Sequence, residues 1–133
     1  MVKAAGVVPV TLNIKIPQGA TFIERYFFLD SYDNPMPYLD TATVLCQVRK
    51  LPADLDSEIV AAATARVVRA TTGEIEVFYP VEETLKLTQL PNEWSTYKDG
   101  CGYYRDIRII YDDNSEDCIV TGRVMPIPEV SRV

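Results

Sequence analysis

The chain has 133 residues, 47% of them hydrophobic, so it is long enough for one domain with a hydrophobic core and too short for two comfortable ones. Thirteen basic residues against nineteen acidic ones give a net charge of −6, and the sequence has no basic stripe of the kind that binds nucleic acid. It contains no histidine, which lowers the expectation of acid–base catalysis, of a zinc site and of a nucleophilic triad.

Apolar runs and cysteine spacing exclude further classes. No apolar run approaches the roughly 18–20 residues that a membrane-spanning helix needs, and the first six residues are too weakly apolar for a secretory signal. We therefore expect a protein made in the cytoplasm. Cys46, Cys101 and Cys118 are widely spaced, so they predict neither a disulfide framework nor a zinc site. At least two of them are expected to be buried, reduced thiols.

The first third of the chain predicts three strands. Residues 10–16 alternate between apolar and polar side chains, as in a half-buried strand. Residues 21–29 are rich in β-branched and aromatic side chains, which predicts a strand covered on both faces over much of its length. After a turn rich in Asp, Asn and Pro over 30–37, alternation over 42–49 predicts the third strand.

The segment 54–70 carries two competing patterns. One set of apolar residues is spaced four apart, as on one face of a helix: Leu55, Ile59, Ala63 and Val67. A second set alternates, as along one face of a strand: Ile59, Ala61, Ala63, Ala65 and Val67. On periodicity and alanine content alone, a helix is slightly favoured over a strand for this segment. Its β-branched residues weaken that preference.

The remaining elements follow in order. Residues 73–79 predict a strand, and 81–87 predict a helix of about two turns with two glutamates in its first turn. A long strand is expected over 102–111, with one face formed by Tyr103, Arg105, Ile107, Ile109 and Tyr111. A polar turn at 112–117 leads to a return strand over 118–127. About seven short strands predict an all-β, antiparallel sandwich over 10–127, with an extended arm at 1–9, a tail at 128–133 and one short helix.

The order of these pieces is similar to that of a known family. The sequence motifs concerned are QGATF at 18–22, DNPMP at 33–37, GYYRDI at 102–107, GRV at 122–124 and PEVSR at 128–132. Over roughly residues 14–132 the chain resembles small immunoglobulin-like sandwich proteins of tailed phages and prophages, including the N-terminal module of baseplate upper proteins. It departs from them at 35–37, which lacks the usual glycine, and at 89–100, which is longer than typical.

The resemblance implies an immunoglobulin-like β-sandwich in which 54–70 is a strand. It also implies a structural role in a virion, with no catalytic residue, no metal ligand and no cofactor. The partners would be other virion proteins and copies of the chain itself in a symmetric assembly, without nucleic acid or membrane.

A few residues are candidates for chemistry or for contact with partners. The acidic turn fits no EF-hand, because Asp117 stands where glycine is needed and Arg123 where glutamate is needed. Glu74 and Glu76 are expected on a solvated strand face rather than in a glycosidase cleft. The candidate interface residues lie in the 89–100 loop and in the two ends of the chain: Val2, Val7, Val8, Trp94, Tyr97, Ile127 and Val130.

Three functions remain open at this point. A tail or baseplate component, or a fibre-attachment element, comes first, and a capsid decoration (cement) protein comes second. A module that binds a host receptor or carbohydrate through exposed aromatic side chains is the rival from another class. The ends of the chain are expected to dock on neighbouring subunits rather than on their own domain.

Overall fold

The computed structural model describes residues 2–49, 59–87 and 103–127, and these form an all-β domain, as predicted. One short α-helix, α1 (Val81–Thr84), and a 3₁₀ turn at Leu39–Thr41 accompany the strands. The eight strands are β1 (Val10–Thr11), β2 (Ile14–Pro17), β3 (Phe22–Phe27), β4 (Thr43–Arg49), β5 (Ile59–Arg69), β6 (Glu74–Tyr79), β7 (Tyr103–Ile110) and β8 (Glu116–Ile127).

The strands form one curled, mixed sheet. The order of its strands is β1-β8-β7-β4-β5-β6-β3. β2 also pairs with β8, further along that strand than β1 does. Both β1 and β2 run parallel to β8, with Val10 opposite Val120 and Ile14 opposite Val124. The prediction of a purely antiparallel arrangement is therefore wrong, because alternation shows which face of a strand is buried and not the direction of its neighbour.

The long strand β5 joins the two parts of this sheet. Its first half pairs with β4, with Cys46 opposite Ala63, and its second half pairs with β6, with Ala65 opposite Val77. The slight helical preference of periodicity is wrong over 59–69, and the strand implied by the resemblance is confirmed there. A strand wins because hydrogen-bonded neighbours on both sides outweigh the local propensity of alanine.

The curl brings the two parts of the sheet face to face around one core. The inward side chains of the predicted 102–111 strand are buried as expected, from Tyr103 to Tyr111. They meet inward side chains of β4 and β6, including Val48, Ile75 and Val77. Of the two described cysteines, Cys46 is buried as expected of a reduced thiol, whereas Cys118 is half-buried; Cys101 lies outside the described residues.

The last strand of the path, β3, is covered on one face only. Glu24 and Phe28 point inward, whereas Ile23 and Phe27 are 49% and 61% exposed. The prediction of a strand covered on both faces is wrong, because no described residue packs over the outer face of β3, where Ile23, Arg25 and Phe27 are exposed. The apolar residues that suggested full burial are instead displayed at the surface.

The helix is shorter than the predicted 81–87. It completes one turn from Val81 to Thr84. The chain then continues with hydrogen bonds between residues three apart, as in a 3₁₀ turn: the Lys86 N–H donates to the Glu83 carbonyl and the Leu87 N–H to the Thr84 carbonyl. Leu87 is fully buried at the end of this turn. The segment therefore closes one end of the core without forming a long helix.

Candidate functional site

The acidic turn between β7 and β8 holds the N-terminal arm. The Asp117 carboxylate accepts hydrogen bonds from the Ala5 N–H at 2.9 Å, the Gly6 N–H at 2.8 Å and the Tyr111 hydroxyl at 2.8 Å. Burial opposes ionisation of Asp117, but these donors outweigh it and lower the pKa of the carboxyl below its usual value. The arm is thus anchored on its own domain, contrary to the expectation that this end of the chain docks on a neighbouring subunit instead.

The tip of the same turn adds a second anchor. The Lys3 ammonium pairs with Asp112, and the Lys3 N–H donates to Asp113 at 2.9 Å. The Ser115 N–H and hydroxyl also hydrogen-bond to Asp113 and are the main cause that lowers the pKa of Asp113 to about 2. The acidic residues that resembled a cation site therefore bind the chain's own arm.

A buried ion pair links the two parts of the sheet. Arg105 of β7 donates to Glu24 of β3 through Nη1, and both side chains are almost fully buried. The same Nη1 donates to the Tyr79 hydroxyl at 3.1 Å, and that hydroxyl lies 3.3 Å from the Cys46 sulfur. Glu24 Oε2 and Arg105 Nε have no hydrogen-bond partner among the described residues. The pair is therefore fixed in place but incompletely compensated.

The Cys46 thiol and the Tyr79 phenol of this cluster are unreactive as nucleophiles. Burial raises the pKa of Cys46 to about 12, and it raises the pKa of Tyr79 as well. Both groups therefore stay protonated near neutral pH, and neither the thiolate nor the phenolate is available as a nucleophile. The cluster holds β3 against β7 and offers no site for chemistry.

A close backbone approach brings the segment between β1 and β2 to this cluster. Between β1 and β2 the chain bends inward, and the Leu12 carbonyl accepts a hydrogen bond from Arg105 Nη2 at 3.4 Å. The carbonyl passes directly over Gly122, where a Cβ atom would lie 1.9 Å from its oxygen. The Asn13 side chain secures the bend by accepting from the Arg123 N–H at 3.0 Å. Gly122 is thus required for space.

An apolar groove lies between the arm and β3. It encloses about 370 Å³ and is lined mainly by the arm, β3 with the two residues after it, and the start of β8. Four exposed apolar side chains line it: Val8 (88% exposed), Val10, Phe27 and Leu29. Exposed apolar surface gathered in one place is typical of a protein–protein interaction site. This groove, with the adjoining outer face of β3, is the candidate functional site.

Charged residues lie beside this site, on the outer face of the part of the sheet formed by β3, β6 and β5. Glu76 of β6 lies between Arg25 of β3, at 3.2 Å, and Arg66 of β5, at 3.4 Å. Glu74 and Glu76 alternate with the buried Ile75 and Val77, which confirms the predicted outer strand face. The Glu76 side chain is nevertheless only 15% exposed, because the two arginines cover it, so it is less solvated than predicted. The row of charges fixes the orientation of Arg25 between the exposed Ile23 and Phe27.

The candidate interface residues fall into three groups. Val7 and Val8 line the groove, while Val2 is 72% exposed at the start of the arm. Ile127 ends β8 opposite Pro17, where it is half-buried. Trp94, Tyr97 and Val130 lie outside the described residues. The structure thus brings only Val7 and Val8 of these candidates together.

Several contacts were missed by sequence reasoning. Nothing in the sequence pairs Asp117 with the arm, because the two are separated by more than a hundred residues. Phe27 was assigned to a covered strand, although its alternation with Arg25 was a usable signal for an outward face. Glu24, one residue before Arg25, carried the complementary signal for a buried charge that needs a partner.

Comparison with known proteins does not extend this description. No protein-family model matches the chain, and no curated protein is significantly similar to it. The described parts of the chain contain no cluster of three or more Cys, Asp or Glu residues suited to a metal ion. None of the helical segments in those parts has the length and apolar character needed to span a bilayer.

Proposed function

We propose that this protein is a non-enzymatic structural component of a tailed-phage particle, placed in the tail or baseplate, and that it works through contacts with other virion proteins and with copies of itself. The likeness of residues 14–132 to small tailed-phage sandwich proteins supports the placement. The observation that carries the mode of action is the apolar groove with the outer face of β3, since exposed apolar surface of this kind favours protein contact.

The distribution of polar groups supports the same proposal. Buried Glu24, Arg105, Tyr79 and Cys46 are engaged with one another inside the core, and Asp117 is engaged with the arm. These groups stabilise the fold and its arm, while the surface beside β3 stays open for a partner. The arrangement fits a rigid building block whose exposed surface makes the functional contacts.

The test is removal of the protein from a phage that encodes it, followed by electron microscopy of the particles. Particles without tails or with defective baseplates are expected, and supply of the wild-type protein in trans should restore them. Quantification of the protein in purified particles should give copies in threes or sixes rather than hundreds.

Two other results would contradict the placement. Intact tails on fragile heads, with hundreds of copies per particle, would indicate a capsid decoration protein. Normal particles that fail to adsorb would indicate a host-binding module, and the substitution Trp94→Ala should then abolish adsorption while leaving assembly intact.

A further inference from the structure

The edge of β3 that faces away from β6, called the free edge below, presents backbone hydrogen-bonding groups that no described residue uses. The Phe28 N–H donates to the Gly73 carbonyl at 2.8 Å, so Phe28 and every second residue before it direct their backbone groups towards β6. The intervening residues Ile23, Arg25 and Phe27 direct theirs away from β6. Among the described residues, β3 pairs with β6 alone.

This edge lacks some of the features that usually prevent strand pairing, and its charges are neutralised within the chain. Natural edge strands are often blocked by proline, by lysine or another charged residue, or by a β-bulge; the two charges of β3 are paired, Glu24 with Arg105 and Arg25 with Glu76. The sequence of β3, FIERYF, contains neither proline nor lysine, and its register with β6 is unbroken from Phe22 to Phe27. Its outer face carries two exposed apolar residues, Ile23 and Phe27, on either side of Arg25. The edge is therefore regular, carries apolar side chains on either side of a paired arginine, and is left uncovered by the described residues.

We propose that β3 pairs antiparallel with β3 of a second copy, about a two-fold axis that passes through Arg25. The two curled sheets then continue into each other through their β3 strands. This builds on the proposed function, because it identifies a copy of the same chain as the partner at the candidate site. Ile23, Arg25 and Phe27 supply the hydrogen-bonding groups of the new strand pair.

The side-chain pattern of β3 matches itself in this register. Apolar, charged and apolar residues follow one another, so antiparallel pairing centred on Arg25 places each Ile23 opposite the Phe27 of the other copy. The two Arg25 side chains meet at the axis, and each is already paired with Glu76 of its own chain at 3.2 Å. A register centred one residue earlier, on Glu24, would place Ile23 opposite an arginine and Phe27 opposite Thr21, and would leave the apolar residues unmatched.

The groove supports the same arrangement. It adjoins the free edge along Phe27 and Leu29, and its far wall carries the exposed Val8 and Val10. A strand added to β3 would cover part of this apolar lining. A two-fold contact uses the same surface on both copies, so no further chain is needed to complete it.

The first test is the mass of the purified full-length protein in solution, measured by sedimentation equilibrium over a range of concentrations. The wild type should form a dimer. Phe27→Lys places a charge in the strand pair and should give a monomer, whereas Leu85→Lys, at an exposed leucine of the turn after α1, should remain dimeric. Circular dichroism of both variants checks that they fold.

The second test reads the register directly and does not depend on Phe27→Lys folding. Opposite residues of a hydrogen-bonded antiparallel pair have Cα atoms about 5.5 Å apart, a separation that a disulfide can bridge. Arg25→Cys should therefore form a covalent dimer under mild oxidation. Ile23→Cys should not, because the two positions would lie roughly 14 Å apart along the strands. The wild type with its native cysteines provides the background.

A wild type that stays monomeric up to its solubility limit would overturn this inference, as would a dimer that crosslinks through Ile23→Cys and not through Arg25→Cys. A dimer lost in Leu85→Lys and kept in Phe27→Lys would place the contact elsewhere and would also overturn it. These results concern the purified protein, so they leave the particle experiment to decide the proposed function independently.

Discussion

Buried charge is the feature in which single residues matter most. Glu24 neutralises Arg105 inside the core, and Arg105 has no exposed surface through which water could replace that carboxylate. Glu24→Ala should lower the free energy of unfolding by about 3–5 kcal/mol, because it leaves an uncompensated charge in the interior. Urea unfolding followed by circular dichroism measures this loss.

The matched control replaces both partners. Glu24→Leu combined with Arg105→Met removes the charges together and fills much the same space, so it should recover most of the lost stability. Two atoms of the pair lack hydrogen-bond partners among the described residues, which favours this recovery. A double variant as unstable as the single variant would show that the pair is not the reason for the loss.

Gly122 supports a second prediction at the scale of one residue. In Gly122→Ala the new methyl group would overlap the Leu12 carbonyl, which would have to withdraw from Arg105. Overpacking of this kind should lower the free energy of unfolding by about 1–3 kcal/mol. Thr121→Ala, at the neighbouring position of the same strand, should cost less in the same denaturation experiment. Equal losses would contradict the role of the close approach.

The arm is the element with the clearest pH dependence. The pKa of Asp117 is lowered in the folded protein, so its contribution is present above the unfolded value of about 3.9 and is lost as the pH falls through the folded pKa. As the pH falls below about 4, the Ala5 and Gly6 amide resonances should begin to shift, whereas the Lys3 amide should shift only at lower pH, because Asp113, which accepts its hydrogen bond, has a pKa lowered to about 2. Amide spectra recorded between neutral and acidic pH follow this change.

Asp117→Asn provides the comparison for this titration. It should loosen the arm already at neutral pH, because an amide cannot accept the three hydrogen bonds as strongly as a carboxylate. Asp30→Asn, which alters a turn outside this contact, should leave the titration unchanged. An arm that stays bound in Asp117→Asn would contradict the assignment.

Individual elements also show how far the sequence could predict the fold. The positions of β4, β6, β7 and β8 follow from alternation and turn residues, and that of β3 follows from its β-branched and aromatic content, because these patterns report local burial and local propensity. The state of 54–70 could not be predicted from periodicity, since Ala61, Ala63 and Ala65 suit either form and the choice depends on β4 and β6. The parallel direction of β2 likewise depends on a neighbour more than a hundred residues away.

The candidate site was predictable only in part. Val7 and Val8 were identified as exposed apolar residues of an arm, but their location depends on Asp117, which no local pattern links to them. The edge position of β3 follows from the order of strands in the sheet, and a single sequence contains no information on that order. Alternation with Arg25 places Ile23 and Phe27 on one face, but whether another element covers that face depends on the tertiary fold, and no described residue does so.

At the scale of the whole molecule, β5 makes the two parts of the sheet depend on each other. One strand supplies hydrogen bonds to both β4 and β6, so neither part can open without disturbing its pairing with the other. We expect one cooperative unfolding transition. Native-state hydrogen exchange should give similar opening free energies for amides of β4 and β6, such as Val44 and Val77.

A lower opening free energy for β6 than for β4 would contradict this expectation. It would show that β3 and β6 form a separate unit despite the shared strand. Ala42, which lies just outside β4, serves as a control, because its N–H bonds within the 3₁₀ turn and should exchange independently of the sheet.

The parallel pairing of β2 with β8 has a mechanical consequence. The chain passes from the arm through β2 in the direction in which β8 runs towards Ile127, so the two ends of the described chain leave this strand pair in opposite directions. Tension between those ends would pull the two strands lengthwise past each other and load their cross-links together rather than one after another. A subunit connected in this way resists stretching along the axis of β8 far better than peeling from its side.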